Sequence, residues 1–218
     1  MKEYTALFNK MPLFDNIPTD KYVNVFSCLH AKIQLYTKGE IICRMNDPMK
    51  RAGILLSGKI DTYLLSKAGA IHSVQQFSEG QIFGEALTCL PEEISPVQIV
   101  SIEDSEILFL EFSRLYSKEA KACPYASQVA LNLLHEIAQK NVFLNRKVEI
   151  LAQKKIRDKI NIYLQSVSKN QSSIVIPLNR QEMSEFLGVD RSALSRELSL
   201  MREEGLIDFN KNEFVIKS

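Results

Sequence analysis

The residues of this 218-residue chain best suited to specific chemistry cluster near its C-terminal end. Arg191, Ser192, Ser195 and Arg196 are spaced to share the exposed side of one helix, close to its start. An arginine can donate two hydrogen bonds to guanine O6 and N7, and a serine can donate or accept at a base edge. That chemistry is recognition, not bond making. The sequence has no G-x-x-x-x-G-K-[ST] loop, no metal-spaced histidine pair and no nucleophile elbow, so the chain is not read as an enzyme. Cys28, Cys43, Cys89 and Cys123 contain no C-x-x-C spacing and no cluster suited to zinc or an iron–sulfur centre. In a cytosolic protein they are expected to be reduced and to be ordinary small core or surface residues.

Holding those four residues outward requires a particular local structure. Asn179 and Glu182 have the spacing of an N-cap and its capping-box partner. Met183, Phe186 and Leu187 then form one apolar face, and Gly188 is placed to end the helix in the left-handed conformation. Asp190 caps a second helix, which buries Leu194, Leu198 and Met201. Two short helices joined by a glycine turn form a helix-turn-helix, whose second helix enters the major groove by its N-terminal end. Leu206–Phe209 and Glu213–Ile216 flank Asn210-Lys211-Asn212 as a hairpin, which makes the domain winged. The competing reading of Arg191 and Arg196 is a solvated helix face; the register of caps, turn and exposed pair favours recognition.

Upstream, the pattern changes twice. Ala31–Tyr36, Ile41–Arg44, Ala52–Leu56, Lys59–Ser66, Ile71–Phe77, Pro96–Ile102 and Ser105–Glu111 read as short strands, with Gly39, Gly58, Gly69, Gly80 and Gly84 at turns. A short helix is expected over Arg114–Ala122. Tyr125 to Leu151 has neither glycine nor proline, and carries apolar Ala126, Ala130, Leu133, Ile137, Leu144, Val148 and Leu151 at helical spacing. That stripe suits a dimer seam, although Lys140 and Lys147 weaken it; the alternative is a helix lying on its own domain, and one helix can do both. A further helix is expected over Ala152–Ser168 and a strand over Ile174–Ile176. The fold class is α+β: a β-roll sensor domain over residues 1–122, a connecting and dimerisation helix over 123–151, and a winged helix-turn-helix over 152–218.

Net charge is +1, and residues 152–218 carry 11 Lys/Arg against 9 Asp/Glu, so charge alone does not argue for nucleic acid. The polar start Met1-Lys2-Glu3-Tyr4 has no apolar segment behind it, and no apolar run approaches bilayer length. The expectation is a cytoplasmic protein without a membrane partner.

The order of roll, long helix and winged helix-turn-helix resembles the CRP/FNR family of bacterial regulators over essentially the whole chain. Arg180-Gln181-Glu182, Gly188 and Ser195-Arg196 carry the resemblance most specifically, with Gly58-Lys59-Ile60 and Phe83-Gly84-Glu85 in the roll. The resemblance implies that Arg196 reads a base, that Arg191, Ser192 and Ser195 face the groove beside it, and that Asn179, Arg180 and Gln181 lie at the phosphate backbone. Many relatives have Glu where this chain has Ser192, so their half-site preference does not transfer.

The resemblance also frames the effector. Cyclic-nucleotide binders of the family pair a Gly-Glu with a following Arg-Ser or Arg-Thr. Gly84-Glu85 matches the first half, but Ile94-Ser95-Pro96-Val97 stands at the second, and no Lys or Arg occurs between Lys67 and Arg114. A buried phosphate without a cation would be costly. Cyclic AMP is therefore disfavoured. An iron–sulfur cluster is disfavoured because the family branch that carries one clusters three cysteines near the N-terminus, where this chain has only Cys28 and Cys43. Haem stays open, with His30, His72 and His135 available, as does a small apolar or anionic effector near Phe83, Gly84, Glu85, Ser95 and Val97. The expected protein is a homodimer on a near-palindromic duplex site, with RNA polymerase a further partner. The alternatives are a regulatory module that binds no DNA and a haem-dependent gas or redox sensor of the same family.

Overall fold

The computed structural model describes residues 2–65, 71–90, 94–117, 123–168 and 171–217, and the chain divides into two compact units, 1–138 and 139–218. In the first unit, α1 (Thr5–Phe8) and α2 (Tyr22–Cys28) precede β1 (Lys32–Tyr36), β2 (Ile41–Cys43), β3 (Ala52–Ser57), β4 (Ile60–Leu65) and β5 (Ile71–Phe77). Then come β6 (Ile82–Phe83), α3 (Glu85–Thr88), β7 (Gln98–Ser101) and β8 (Ser105–Leu110), and α4 (Ala126–Ala152) begins in this unit. The strands form two antiparallel sheets, ordered β1-β8-β3-β6 and β2-β7-β4-β5.

The period-two geometry of a strand explains why β3 and β8 are apolar at consecutive positions. Ile107 and Phe109 of β8 join Leu55 and Ile60 in the interior between the sheets. Leu108 and Leu110 point the other way, to a core shared with Ile54, Leu56, the N-terminal aromatics Phe8, Phe14, Tyr22 and Phe26, and Val129 and Leu133 of α4. The Asn132 side-chain amide donates to the carbonyls of Leu13 and Asp15, at 2.9 and 2.8 Å, which fixes the first half of α4 to the N-terminal segment. The roll interior is filled by rings: Phe83 lies 5.8 Å from Phe77 and 6.3 Å from Phe109, centroid to centroid.

All seven expected strands form. Two elements were not foreseen, because two-residue β6 and four-residue α3 are too short to show a period. β7 starts at Gln98, two residues beyond Pro96, which has no N–H for the ladder. The expected helix over Arg114–Ala122 is replaced by a 3-10 helix over Phe112–Tyr116; residues 118–122, like Ser66 and Gly69, lie outside the described residues. The reading of all four cysteines as reduced core or surface residues is corrected for two of them. Cys28 and Cys123, 95 residues apart with Cα atoms at 5.9 Å, form a disulfide, whereas Cys43 and Cys89 are free. Sequence spacing could not show that proximity.

In the second unit the rest of α4 is followed by α5 (Ile156–Ser168), β9 (Ser173–Val175), α6 (Arg180–Leu187), α7 (Arg191–Glu203), β10 (Ile207–Asn210) and β11 (Glu213–Ile216). The expected helix from Ala152 starts only at Ile156. A three-stranded sheet of order β10-β11-β9 closes a core containing Ile150, Ile160, Leu164, Met183, Leu187, Leu194, Leu198, Met201 and Phe214.

Gly53 on β3 lies directly against the Phe83 ring, and a Cβ at that position would overlap it. Gly53→Ala is expected to destabilise the roll by about 1–3 kcal/mol, the usual effect of overpacking a core, as measured by urea unfolding. An unchanged midpoint would show that Phe83 has room to move.

Candidate nucleic-acid interface

The capping box at α6 is complete. The Asn179 side-chain oxygen accepts from the N–H groups of Gln181 and Glu182 at 2.9 and 3.0 Å, and the Glu182 carboxylate accepts from the Asn179 N–H at 2.7 Å. At the other end Gly188 sits at φ 60°, ψ 49°. The Gly188 N–H bonds the Glu185 carbonyl and the Val189 N–H bonds the Ser184 carbonyl, the paired bonds of a Schellman motif. Asp190 then caps α7 by accepting from the N–H groups of Ser192 and Ala193 at 2.8 and 3.1 Å. The Ser192 hydroxyl and these N–H groups hold the Asp190 carboxyl below its usual range, so the cap is charged at neutral pH.

With Leu194, Leu198 and Met201 fully buried, the opposite face of α7 is left to solvent. Arg191, Ser192, Ser195 and Arg196 are all exposed there. Neither guanidinium forms an ion pair among the described residues. The Ser195 hydroxyl donates to the Arg191 carbonyl at 2.9 Å, and the Ser192 hydroxyl donates to Asp190. Both serine oxygens therefore keep lone pairs to accept from a base amino group.

Two supports of this helix pair were not foreseen. Lys159 of α5 is 8% exposed, and its Nζ donates to the Leu187 carbonyl at 3.0 Å, satisfying an orphan acceptor at the end of α6. Arg157, also on α5, bonds Glu197 at 2.6 Å and Glu204 through both terminal nitrogens at 2.7 and 2.8 Å. This pairing holds the Glu204 carboxyl below its usual range. Nothing in the local sequence singles out Lys159 or Arg157, because their partners are 28 to 47 residues away.

Of the residues expected at phosphate, Asn179 and Gln181 are exposed, whereas Arg180 is half-buried. Its guanidinium lies 5.1 Å from the Phe209 ring centre and 5.7 Å from that of Phe214, with Arg202 4.9 Å from the Phe209 centre. Arg180 thus joins the start of α6 to the wing by cation–π contact.

In the roll, Phe83, Glu85 and Ser95 are buried, and Val97 is partly so. The Ser95 hydroxyl donates to the Val97 carbonyl at 2.7 Å, and backbone bonds join residue 95 to Asn46 and Asp47. The Met49 side chain occupies the space beside Gly84, where φ is 73°. A cavity of about 310 Å³ lies nearby, lined by Lys32, Gln34, Tyr36, Ile42, Cys43, Pro48, Met49, Lys50, Arg51 and Phe109. His72 and His135 are exposed, and His30 Nδ1 lies 3.2 Å from Glu111; no group of three or more His, Cys, Asp or Glu residues could hold a metal ion among the described residues. No helix among them is long and apolar enough to cross a membrane.

The stripe expected as a dimer seam divides along α4. Ala126 and Leu133 are buried in the first unit, and Ile137 packs against the same core, so these three serve their own domain. Ala130 is partly buried, whereas Leu144, Val148 and Leu151 are 57, 65 and 45% exposed. The exposed apolar positions also include Leu134, Val142 and Phe143, which the sequence reading did not select.

This fold and this site define a DNA-binding transcription regulator: a winged helix-turn-helix preceded by a β-roll. Family models match in the same order, the cyclic nucleotide-binding domain over residues 33–118 and the Crp-like helix-turn-helix domain over residues 144–218. The cyclic AMP receptor protein of Thermus thermophilus is 23% identical over 196 residues, 90% of this chain and 88% of that protein. The solved catabolite activator protein of Thermus thermophilus is 21% identical, with a TM-score of 0.56 over 94% of this chain and 93% of that one. A structure of CprK complexed with OCPA is 16% identical, with a TM-score of 0.61 over 90% of this chain and 88% of that one. The chain belongs to the CRP/FNR family of transcription regulators.

Lys159→Met keeps the aliphatic stem but leaves the Leu187 carbonyl without its donor. The expected loss of stability is about 1–3 kcal/mol, measured by denaturant unfolding. A loss near zero would mean that water replaces the ammonium.

Proposed function

We propose that the protein is a homodimeric regulator that reads a near-palindromic duplex site through Arg196, with Arg191, Ser192 and Ser195 beside it. The observation that carries this reading is the electrostatics at the start of α7. Asp190 is engaged as a cap and Glu197 and Glu204 are engaged by Arg157, while Arg191 and Arg196 are exposed and unpaired among the described residues. Bidentate donation to guanine suits Arg196, and the two serine oxygens suit the amino group of cytosine or adenine. Asn179, Arg180 and Gln181 would meet the phosphate backbone, Arg180 from its position against the wing aromatics. The cytoplasm is the compartment this role requires.

The dimer reading rests on the exposed side of α4, where Leu134, Leu144 and Val148 are each more than half exposed. Burying such side chains against a second copy would release about 25 cal/mol per Å² of apolar surface. The two recognition helices would then enter grooves about 34 Å apart.

The effector in this reading acts on the roll and is not a cyclic nucleotide. Met49 fills the space beside Gly84, and residues 68–113 contain no Lys or Arg to meet a phosphate.

Selection from random duplexes, followed by sequencing, is expected to recover a two-fold symmetric motif whether or not cyclic AMP is added. Arg196→Ala is expected to weaken binding to that motif by about 1–3 kcal/mol per half-site and to relax one base position. Binding that depends on salt but not on sequence, in both proteins, would contradict the reading. A second expectation concerns assembly. The wild-type protein should sediment as a dimer at micromolar concentration, and Leu134→Glu with Val148→Glu as a folded monomer; a monomeric wild type, alone and on DNA, would defeat the dimer.

A further inference from the structure

We propose that Cys28 and Cys123 form a thiol–disulfide exchange site that couples redox state to DNA affinity, an inference resting on the DNA-binding reading above. Disulfides in a reducing compartment are usually transient and catalytic or redox-sensing, not structural staples. Both residues of the pair are partly exposed, so a small dithiol can reach the bond. The two free cysteines differ in kind. Burial pushes the thiols of Cys43 and Cys89 up, which leaves little reactive thiolate at neutral pH.

The bond joins two segments with distinct roles. Cys28 ends α2, between Phe26 and Leu29 of the roll core, and its carbonyl accepts from Arg114 Nε at 2.7 Å. Cys123 stands three residues before α4, and its carbonyl accepts from the Ala126 N–H at 3.2 Å. The disulfide therefore fixes the entrance of α4, the helix that bears the proposed seam, to the roll. Beyond that point α4 is held by Val129, Asn132 and Leu133, so reduction loosens the entrance without detaching the helix. An ordered entrance reduces what must be immobilised on dimerisation and DNA binding, so the oxidised form is the tighter binder.

The exchange balances with a dithiol as reductant. One reductant thiolate attacks a sulfur of the pair, forming a mixed disulfide and releasing the other cysteine as a thiolate, which takes up a proton. The second reductant thiol then attacks the mixed disulfide and releases the second cysteine. Two electrons and two protons pass to the pair, and the dithiol becomes a disulfide. A small-molecule disulfide drives the reverse reaction.

The test uses the full chain in oxidised and dithiothreitol-reduced forms, with Cys28→Ser, Cys123→Ser and, as a control, Cys89→Ser. Alkylation and mass measurement should count two free thiols in the oxidised protein and four in the reduced one, matching the four cysteines and the single pair. Without DNA, reduction should lower Tm by on the order of 10 °C, because the bond closes a long loop. On a selected duplex, the oxidised form should bind at least about fivefold more tightly. Cys28→Ser and Cys123→Ser should each match the reduced form and lose the response, which Cys89→Ser should retain. Four thiols after oxidation, or equal DNA affinity in the two forms, would overturn the proposal. Absence of specific DNA binding in both forms, with the thiol count still switching, would overturn the regulatory coupling and the DNA reading while supporting the exchange site.

Discussion

The angle between α6 and α7 depends on one residue in the left-handed region. Gly188 turns the chain at φ 60°, and the neighbouring backbone groups are satisfied only in that conformation. Any residue with a Cβ would be strained there and would meet Leu151 Cδ2 at 2.9 Å. The tight turn lets Asp190 cap α7 two residues later, and α5 completes the joint by placing Lys159 on the last carbonyl of α6. Once that joint is set, the burial of Leu194, Leu198 and Met201 leaves Arg191 and Arg196 only the outer face.

The helix-turn-helix was legible because its determinants are local. Asn179, Glu182, Gly188 and Asp190 act within four residues of themselves, and the structure satisfies each in the predicted role. The strands were legible for a similar reason, since period and turn residues sit side by side in the chain. What escaped was long-range. Arg157 and Lys159 have partners 28 to 47 residues away, and Cys28 and Cys123 are 95 residues apart. The contact of Arg180 with Phe209 and Phe214 depends on a wing that lies about thirty residues downstream.

The long helix shows how one apolar pattern serves two purposes. Ala126 and Leu133 enter the roll core, while Leu144, Val148 and Leu151 stay exposed further along. Period alone gives both groups the same weight, because it records which residues are apolar and not what covers them. The roll teaches a related point. Gly84-Glu85 keeps the turn seen in cyclic-nucleotide binders, yet Met49 fills the adjoining space and Phe77, Phe83 and Phe109 pack the interior.

The central claim is that Arg196 reads a guanine from the major groove. The most direct measurement replaces that guanine, in the selected duplex, with 7-deazaguanine, which lacks the N7 acceptor but pairs normally. The account predicts that the wild-type protein loses about 1–3 kcal/mol of affinity per half-site, while Arg196→Ala, already without the contact, loses almost nothing. An equal loss in both proteins, or none in either, would show that the guanine is not read by Arg196.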